Sequence, residues 1–404
     1  MCIRDRFKED RDAADYNNLI NDGSDVIVRR WLDNHFYVVN ANATYQRNRL
    51  EIISGFSYSD YTNDHYGEVI SGSDFSLGTE VRDRYYFSKS NKTDFSVFSK
   101  VTFNMSSKIK TYIDIQNRFV HYTTKGLTSS RTPIDVYANF SFFNPKLGVT
   151  YDLNPSNSFY ASYARANKEP NRNDFESNPT EVTYEQLNDF ELGWRHQSER
   201  MRLNANVYYM QYNNQLVLSG ALDNVGEYLR ENVDKSYRLG LEVDANVILS
   251  DEFSLNSNFA LSKNKVQDLI IDRDGGLQSL GDTNIAFSPD FISTNAIEYA
   301  PSSKFRTALI GKYVGEQYMS NTDTEASKLD CYFVTDLNFS YTINFKSVFK
   351  SIVFTGMVNN LLDLEYEDRG YTYVNYWDFP TEREIQGYYP QATRNFLLGA
   401  TLTF

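Results

Sequence analysis

The residues best suited to chemistry are aromatic and cationic, and they crowd into one stretch. Residues 371–389 hold Tyr371, Tyr373, Tyr376, Trp377, Phe379, Tyr388 and Tyr389, with Arg369 and Arg383 close by. Such rings are rigid and amphipathic, and guanidinium groups are planar donors. Together they bind a ligand at low entropic cost. The same residue types also anchor a sheet at a membrane interface. Two readings follow: a capture surface for mid-loop residues such as Tyr376 and Trp377, and an interfacial girdle for strand-end residues such as Tyr366. A charged run, Lys168, Glu169, Arg172 and Asp174, adds Arg172 as a further candidate ligand contact, although its alternating charges suit salt bridges at a loop base.

Covalent and metal chemistry find no such footing. His35, His65, His121 and His196 show no metal-ligand spacing, and there is no H-E-x-x-H. Cys2 and Cys331 make neither a disulfide framework nor a zinc site. Asp272-Arg273-Asp274-Gly275-Gly276 starts like a calcium loop but lacks the closing Glu. The chain is therefore expected to be no enzyme and to carry no metal or cofactor. The acidic group Asp363, Glu365, Glu367 and Asp368 reads either as surface solubility or as cation-bridged contact with lipopolysaccharide phosphates. A net charge of -13 argues against nucleic acid, whose phosphates need clustered Lys and Arg.

The elements that must carry these residues show a period of two. Tyr237, Leu239, Leu241, Val243, Ala245, Val247 and Leu249 alternate with Arg238, Gly240, Glu242, Asp244, Asn246 and Ile248. Similar alternation recurs along the chain, often over more residues than the ~5–6 of a soluble strand. It suits the ~9–11 tilted residues that cross a bilayer, and such strands must close into a barrel to pair their backbones. Fifteen strands are expected, near 34–46, 50–61, 84–105, 109–123, 138–153, 157–167, 186–198, 201–216, 236–249, 252–268, 287–300, 304–318, 331–344, 350–361 and 394–404. Short polar turns alternate with long polar segments, which places turns in the periplasm and loops outside. Phe396, Leu398, Ala400, Leu402 and Phe404 share one face, and the terminal Phe404 reads as the signal for the barrel-assembly machinery.

Several segments, in order, resemble a known family. Ser158–Arg165 leads into Ala166–Phe175, then Asn178-Pro179, Glu185 and Asp189-Phe190-Glu191-Leu192-Gly193. Tyr313–Tyr318 reads Y-V-G-E-Q-Y, and Val358–Tyr366 reads V-N-N-L-L-D-L-E-Y. These resemble the C-terminal barrel of a TonB-dependent outer-membrane receptor. The resemblance implies an all-β, antiparallel transmembrane β-barrel in the Gram-negative outer membrane. About 15 of an expected 22 strands would be present, with residues 34–404 as barrel and 1–33 as part of an outer loop or strand. It implies energised uptake of a scarce ligand, above all a ferric siderophore or other metal chelate. The partners implied are the TonB complex, outer-membrane lipid and lipopolysaccharide, and the barrel-assembly machinery. Where haem-type members carry F-R-A-P, this chain has Asn167-Lys168-Glu169-Pro170, which points away from haem. Met1–Arg6 has charge but no apolar stretch behind it. With the odd strand count, this leads to the expectation that the chain starts partway through a longer gene, its plug and signal peptide missing. The competing readings are a passive porin-like channel and a soluble surface β-protein.

Overall fold

The alternation in sequence becomes alternation of faces in space. In the computed structural model, Phe56, Tyr58, Phe95, Val97, Phe119, Leu147, Val149, Phe190, Leu192 and Val207 are all exposed. A soluble sheet would bury such side chains, because each buried aliphatic or aromatic group is worth ~1.5–3 kcal/mol. The structure describes residues 5–8, 26–72, 80–177, 182–222, 228–273, 276–345, 350–375 and 383–404. They fall into two compact units: residues 1–103, 113–145 and 166–183, and residues 104–112, 146–165 and 184–404.

The chain opens with β1 (Asp5–Lys8), β2 (Val26–Arg47), β3 (Leu50–Gly72), β4 (Arg84–Asn104), β5 (Ile109–Leu127), β6 (Pro133–Asn154) and β7 (Asn157–Lys168), then α1 (Arg172–Ser177). In the first unit, β2 pairs antiparallel with β3 over its whole length, from Val26↔Gly72 to Arg47↔Leu50. The turn between them puts Asn48 at φ 51°, a left-handed conformation that Asn tolerates. β3 in turn pairs with β4. A small core closes the loop-side end of this unit, formed by Val26, Val28, Val69, Tyr85 and Tyr86.

The second unit continues with β8 (Glu185–Gln197), β9 (Met201–Leu222), β10 (Tyr228–Ile248), β11 (Phe253–Arg273), β12 (Gly276–Asn284), β13 (Phe291–Ser302), β14 (Phe305–Val314), β15 (Gln317–Tyr318), β16 (Lys328–Leu329), β17 (Tyr332–Asn344), β18 (Ser351–Asn359), β19 (Glu367–Asn375), β20 (Arg383–Pro390) and β21 (Asn395–Thr403). Neighbours pair antiparallel: β8 with β9, β9 with β10, β10 with β11, β11 with β13, β13 with β14, β14 with β17, β17 with β18 and β18 with β21. The β10–β11 register sets Leu239, Leu241 and Val243 on the same face as Lys263, Leu261 and Phe259.

Each of the fifteen segments expected from sequence contains a strand. The strands run further than expected toward the loops. β2 starts at Val26 and β3 reaches Gly72, and residues read as loop form β12 and the β19–β20 hairpin. One expected strand, 304–318, ends at Val314; Gly315 and Glu316 break it before β15. Above a bilayer both faces of a strand meet water, so ladders persist where the apolar/polar alternation fades.

Candidate functional sites in two regions

In the second unit, the aromatic stretch is a hairpin. β19 pairs with β20 from Glu367↔Pro390 to Asn375↔Arg383. The half-buried Tyr371 ring lies across Gly387, where a Cβ would collide with it. Tyr371 and Tyr389 have ring centroids 6.1 Å apart. Tyr388 and Tyr389 are exposed, and Arg369 is 59% exposed with its Nε 3.3 Å from Asp368 Oδ1. Asp368 is itself held: its Oδ1 accepts from Gln391 at 2.6 Å, and its carbonyl accepts from Gln317 at 3.1 Å. Arg383 and Tyr373 lie in the hairpin strands at the register positions opposite Asn375 and Ile385. Tyr376 and Trp377 lie outside the described residues. Tyr366, read as a girdle residue, packs against Tyr332 with ring centroids 4.5 Å apart and planes tilted at 33°.

The hairpin rests on a strap that sequence reasoning read as a long polar loop. Met319, Ser320, Asn321 and Ser327 are buried there. Gly370 packs on Met319 Sδ so closely that no Cβ fits. Asn321 donates to the Leu218 carbonyl at 2.9 Å and accepts from the Ala286 amide at 2.9 Å. Asp323 accepts from the Asn284 amide and side chain at 2.8 and 3.1 Å. Fully satisfied Asn and Asp side chains act here as extra backbone, so a loop of polar composition is fixed.

Arg172 belongs to the first unit. Asn171 and Asp174 cap α1 reciprocally: the Asp174 amide donates to Asn171 Oδ1 at 3.0 Å, and the Asn171 amide donates to Asp174 Oδ2 at 2.7 Å. This cap places Phe175 flat against Tyr122, centroids 5.3 Å apart at 13°. Arg172 donates to Glu176 at 2.5 Å, to Ser90 at 3.0 Å and to Ser88 at 2.7 Å.

Just before α1, Glu169 joins three elements. Both its oxygens take the Arg118 guanidinium at 2.7 Å, and Oε1 takes Lys92 Nζ at 2.6 Å. Arg118 also reaches Asp94 at 2.6 and 2.9 Å. Glu169 is 7% exposed. Burial works to raise its pKa, but the hydrogen bonds from Arg118 and Lys92 outweigh that and hold it at about 2. Lys92, Asp94 and Arg118 were missed from sequence. Their only signal was charge on the inward phase of strands whose other phase is apolar.

Among the described residues no group of three or more His, Cys, Asp or Glu side chains could hold a metal ion. A cavity of about 600 Å³ is lined by Lys108, Asp152, Arg195 and Arg202 among turn residues such as Asn154–Ser158. It lies at the turn end of its strands, away from the loop-side hairpin.

The family described as "TonB dependent receptor-like, beta-barrel" matches residues 4–361. The chain belongs to this family. It is similar to the Ferric-pyoverdine 358 receptor of Pseudomonas putida, with 28% identity over 180 residues, covering 39% of this chain and 20% of that one. Among solved structures it is similar to the ferric-catecholate import receptor Fiu of E. coli K12, with TM-score 0.64 and 16% identity over 94% of this chain and 55% of that one. It is also similar to the copper transporter OprC, with TM-score 0.67 and 13% identity over 93% of this chain and 60% of that one. The chain thus spans little more than half the length of these solved neighbours. Its exposed apolar faces are those expected of an outer-membrane β-barrel of that family.

Proposed function

We propose that this receptor chain serves energised uptake of a scarce metal chelate, above all a ferric siderophore, driven through the TonB complex. Family membership across residues 4–361 carries the reading. The names of its relatives, two ferric-chelate receptors and a copper transporter, agree on metal cargo. In this reading residues 34–404 form barrel wall and 1–33 an outer loop or strand. The β19–β20 hairpin captures ligand with Arg369, Tyr371, Tyr373, Tyr376, Trp377 and Arg383. Exposed rings beside guanidinium groups suit an anionic, ring-bearing chelate. Arg172 contributes by holding α1 against β4. Phe404, exposed at the end of β21, is the handle for the barrel-assembly machinery, and the outward faces meet outer-membrane lipid and lipopolysaccharide.

The test is uptake of a panel of iron-loaded siderophores by cells with and without an intact TonB complex. Saturable uptake that needs TonB supports the reading. Unsaturable entry of small solutes independent of TonB would sink it in favour of a passive channel.

A further inference from the structure

The second unit carries positive charge at its turn end that nothing nearby neutralises. The cavity there, about 600 Å³, falls within the ~300–1,000 Å³ of small-molecule sites. Lys108, Arg195 and Arg202 line it against one carboxylate, Asp152. Asp152, Arg195 and Arg202 lie on the phase opposite the exposed Val149, Tyr151, Leu192 and Val207, so the cavity opens on the inward face. The β8–β9 register sets Arg195 opposite Asn204 and Gln197 opposite Arg202. The two arginines are therefore diagonal neighbours with Cβ atoms ~7–8 Å apart, and like charges at that range repel. Among the described residues neither pairs with a carboxylate: Asp152, and Asp244 diagonal to Arg202 on β10, make no ion pair with them. Arg118 and Arg172, by contrast, are closed by carboxylates at 2.5–2.7 Å.

The lining is held in place. Arg195 lies over the Tyr160 ring at 4.4 Å, and that ring lies across Gly193, where no Cβ fits. A guanidinium laid on a ring keeps its N–H edges for carboxylate or phosphate. Lys108 Nζ donates to the Leu153 carbonyl at 3.2 Å, one of its three donors. The Asp152 amide donates to the Lys108 carbonyl at 2.8 Å, and the Gln197 amide to the Ser156 carbonyl at 2.9 Å. Cations fixed in this way, with no counter-charge of their own, are preorganised for an anion.

We infer that this cavity is a second station for the cargo, at the exit end of the wall, and that it takes multiply anionic metal chelates by their carboxylate or phenolate rim. Arg195 and Arg202 fork onto paired oxygens, and Lys108 adds a point charge. The Tyr160–Arg195 stack offers a flat edge to a ring. The β19–β20 hairpin captures at the loop end, and this cavity selects by charge at the turn end. Neutral chelates gain nothing from it. The inference rests on the cargo reading and adds to it where the chelate goes after capture and what charge it carries.

The test uses outer membranes and whole cells that carry the receptor. On membranes treated with an arginine-selective dicarbonyl, ferric citrate as probe should slow modification of Arg195 and Arg202 about tenfold, and a neutral ferric trihydroxamate should not. Arg306, exposed on β14 and outside the cavity, should react alike throughout. In cells, Arg195→Gln with Arg202→Gln should cut the saturated uptake rate of anionic chelates about tenfold. Half-saturation should move little, because capture lies at the loop end. Arg195→Lys with Arg202→Lys should restore most of the rate. Heat-modifiable migration checks folding, and Arg202→Gln alone carries the test if the double variant misassembles. A parent that imports no chelate sinks the cargo reading and this inference with it. Three results would overturn this inference alone: a parent that imports only neutral chelates, a double Gln variant that imports like the parent, or arginines that react alike, or not at all, with and without ferric citrate.

Discussion

The Glu169 cluster and the β19–β20 hairpin use similar residues to opposite ends. Around Glu169, charges lie within 2.6–2.9 Å of counter-charges and the carboxylate is nearly out of water. In the hairpin, Arg369 is 59% exposed on a weak 3.3 Å contact, and Tyr388 and Tyr389 face solvent. A charge that is buried and saturated has little left to offer a ligand. A charge or ring that is half free, on a hairpin braced from below, keeps its donors and faces available. Satisfaction of partners, more than residue type, separates the wall from the surface proposed to capture ligand.

Arg118→Ala is the largest break available in that contrast. It removes both Arg118 contacts from the part-buried Asp94 and leaves Glu169 only Lys92, a loss toward the low end of the ~3–5 kcal/mol of a broken buried pair. Hydrogen exchange should show α1 and the adjoining parts of β4 and β5 opening together, while the hairpin stays protected. In the hairpin, Arg369→Ala with Tyr371→Ala should leave the heat-modifiable midpoint unchanged. It should weaken chelate binding by roughly 10–100-fold, as loss of anchor residues does; binding titration reads this directly, and parental affinity would remove the hairpin from the site.

Acid sharpens the comparison. His65 is held down at about 4, chiefly by burial and then by the positive charges of Arg172 and Arg30. It lies on β3 above the ~9–11 residues that cross the bilayer. Its lowered pKa contributes stability that is full above pH 6.5 and is lost as pH falls from 6.5 toward 4. Glu169, lowered to about 2, keeps its contribution until pH falls through its ordinary range toward 2. Between pH 6.5 and 4, exchange corrected for its intrinsic rate should therefore rise around His65 and Tyr86 before the Glu169 cluster responds. His65→Gln should abolish the early rise.

Smaller effects close the series. Asn171→Ala removes half of the reciprocal cap and should cost α1 about 1 kcal/mol, visible as faster exchange in 172–177 alone. Lys125 and Asp135 meet at 2.7 Å but are 79% and 68% exposed. Lys125→Ala should leave the unfolding midpoint where it was, since exposed pairs contribute little.

Composition and period by themselves determined the wall. Alternation of Leu239, Leu241 and Val243 with Arg238, Gly240 and Glu242 dictated one lipid face and one wet face, because a strand can point side chains only two ways. Turn chemistry such as Asn48 marked where strands reverse. The same signal dies above the membrane, where both faces meet water. The upward reach of β2 and β3, the β19–β20 pairing and the buried strap around Asn321 were therefore not legible. Nor were the partners of Glu169 and Arg172. Lys92 lies 77 residues from Glu169, and Ser88 lies 84 from Arg172. Local pattern carries no information about which inward charges meet across strands so far apart. Ladder register and the seating of α1 decide it.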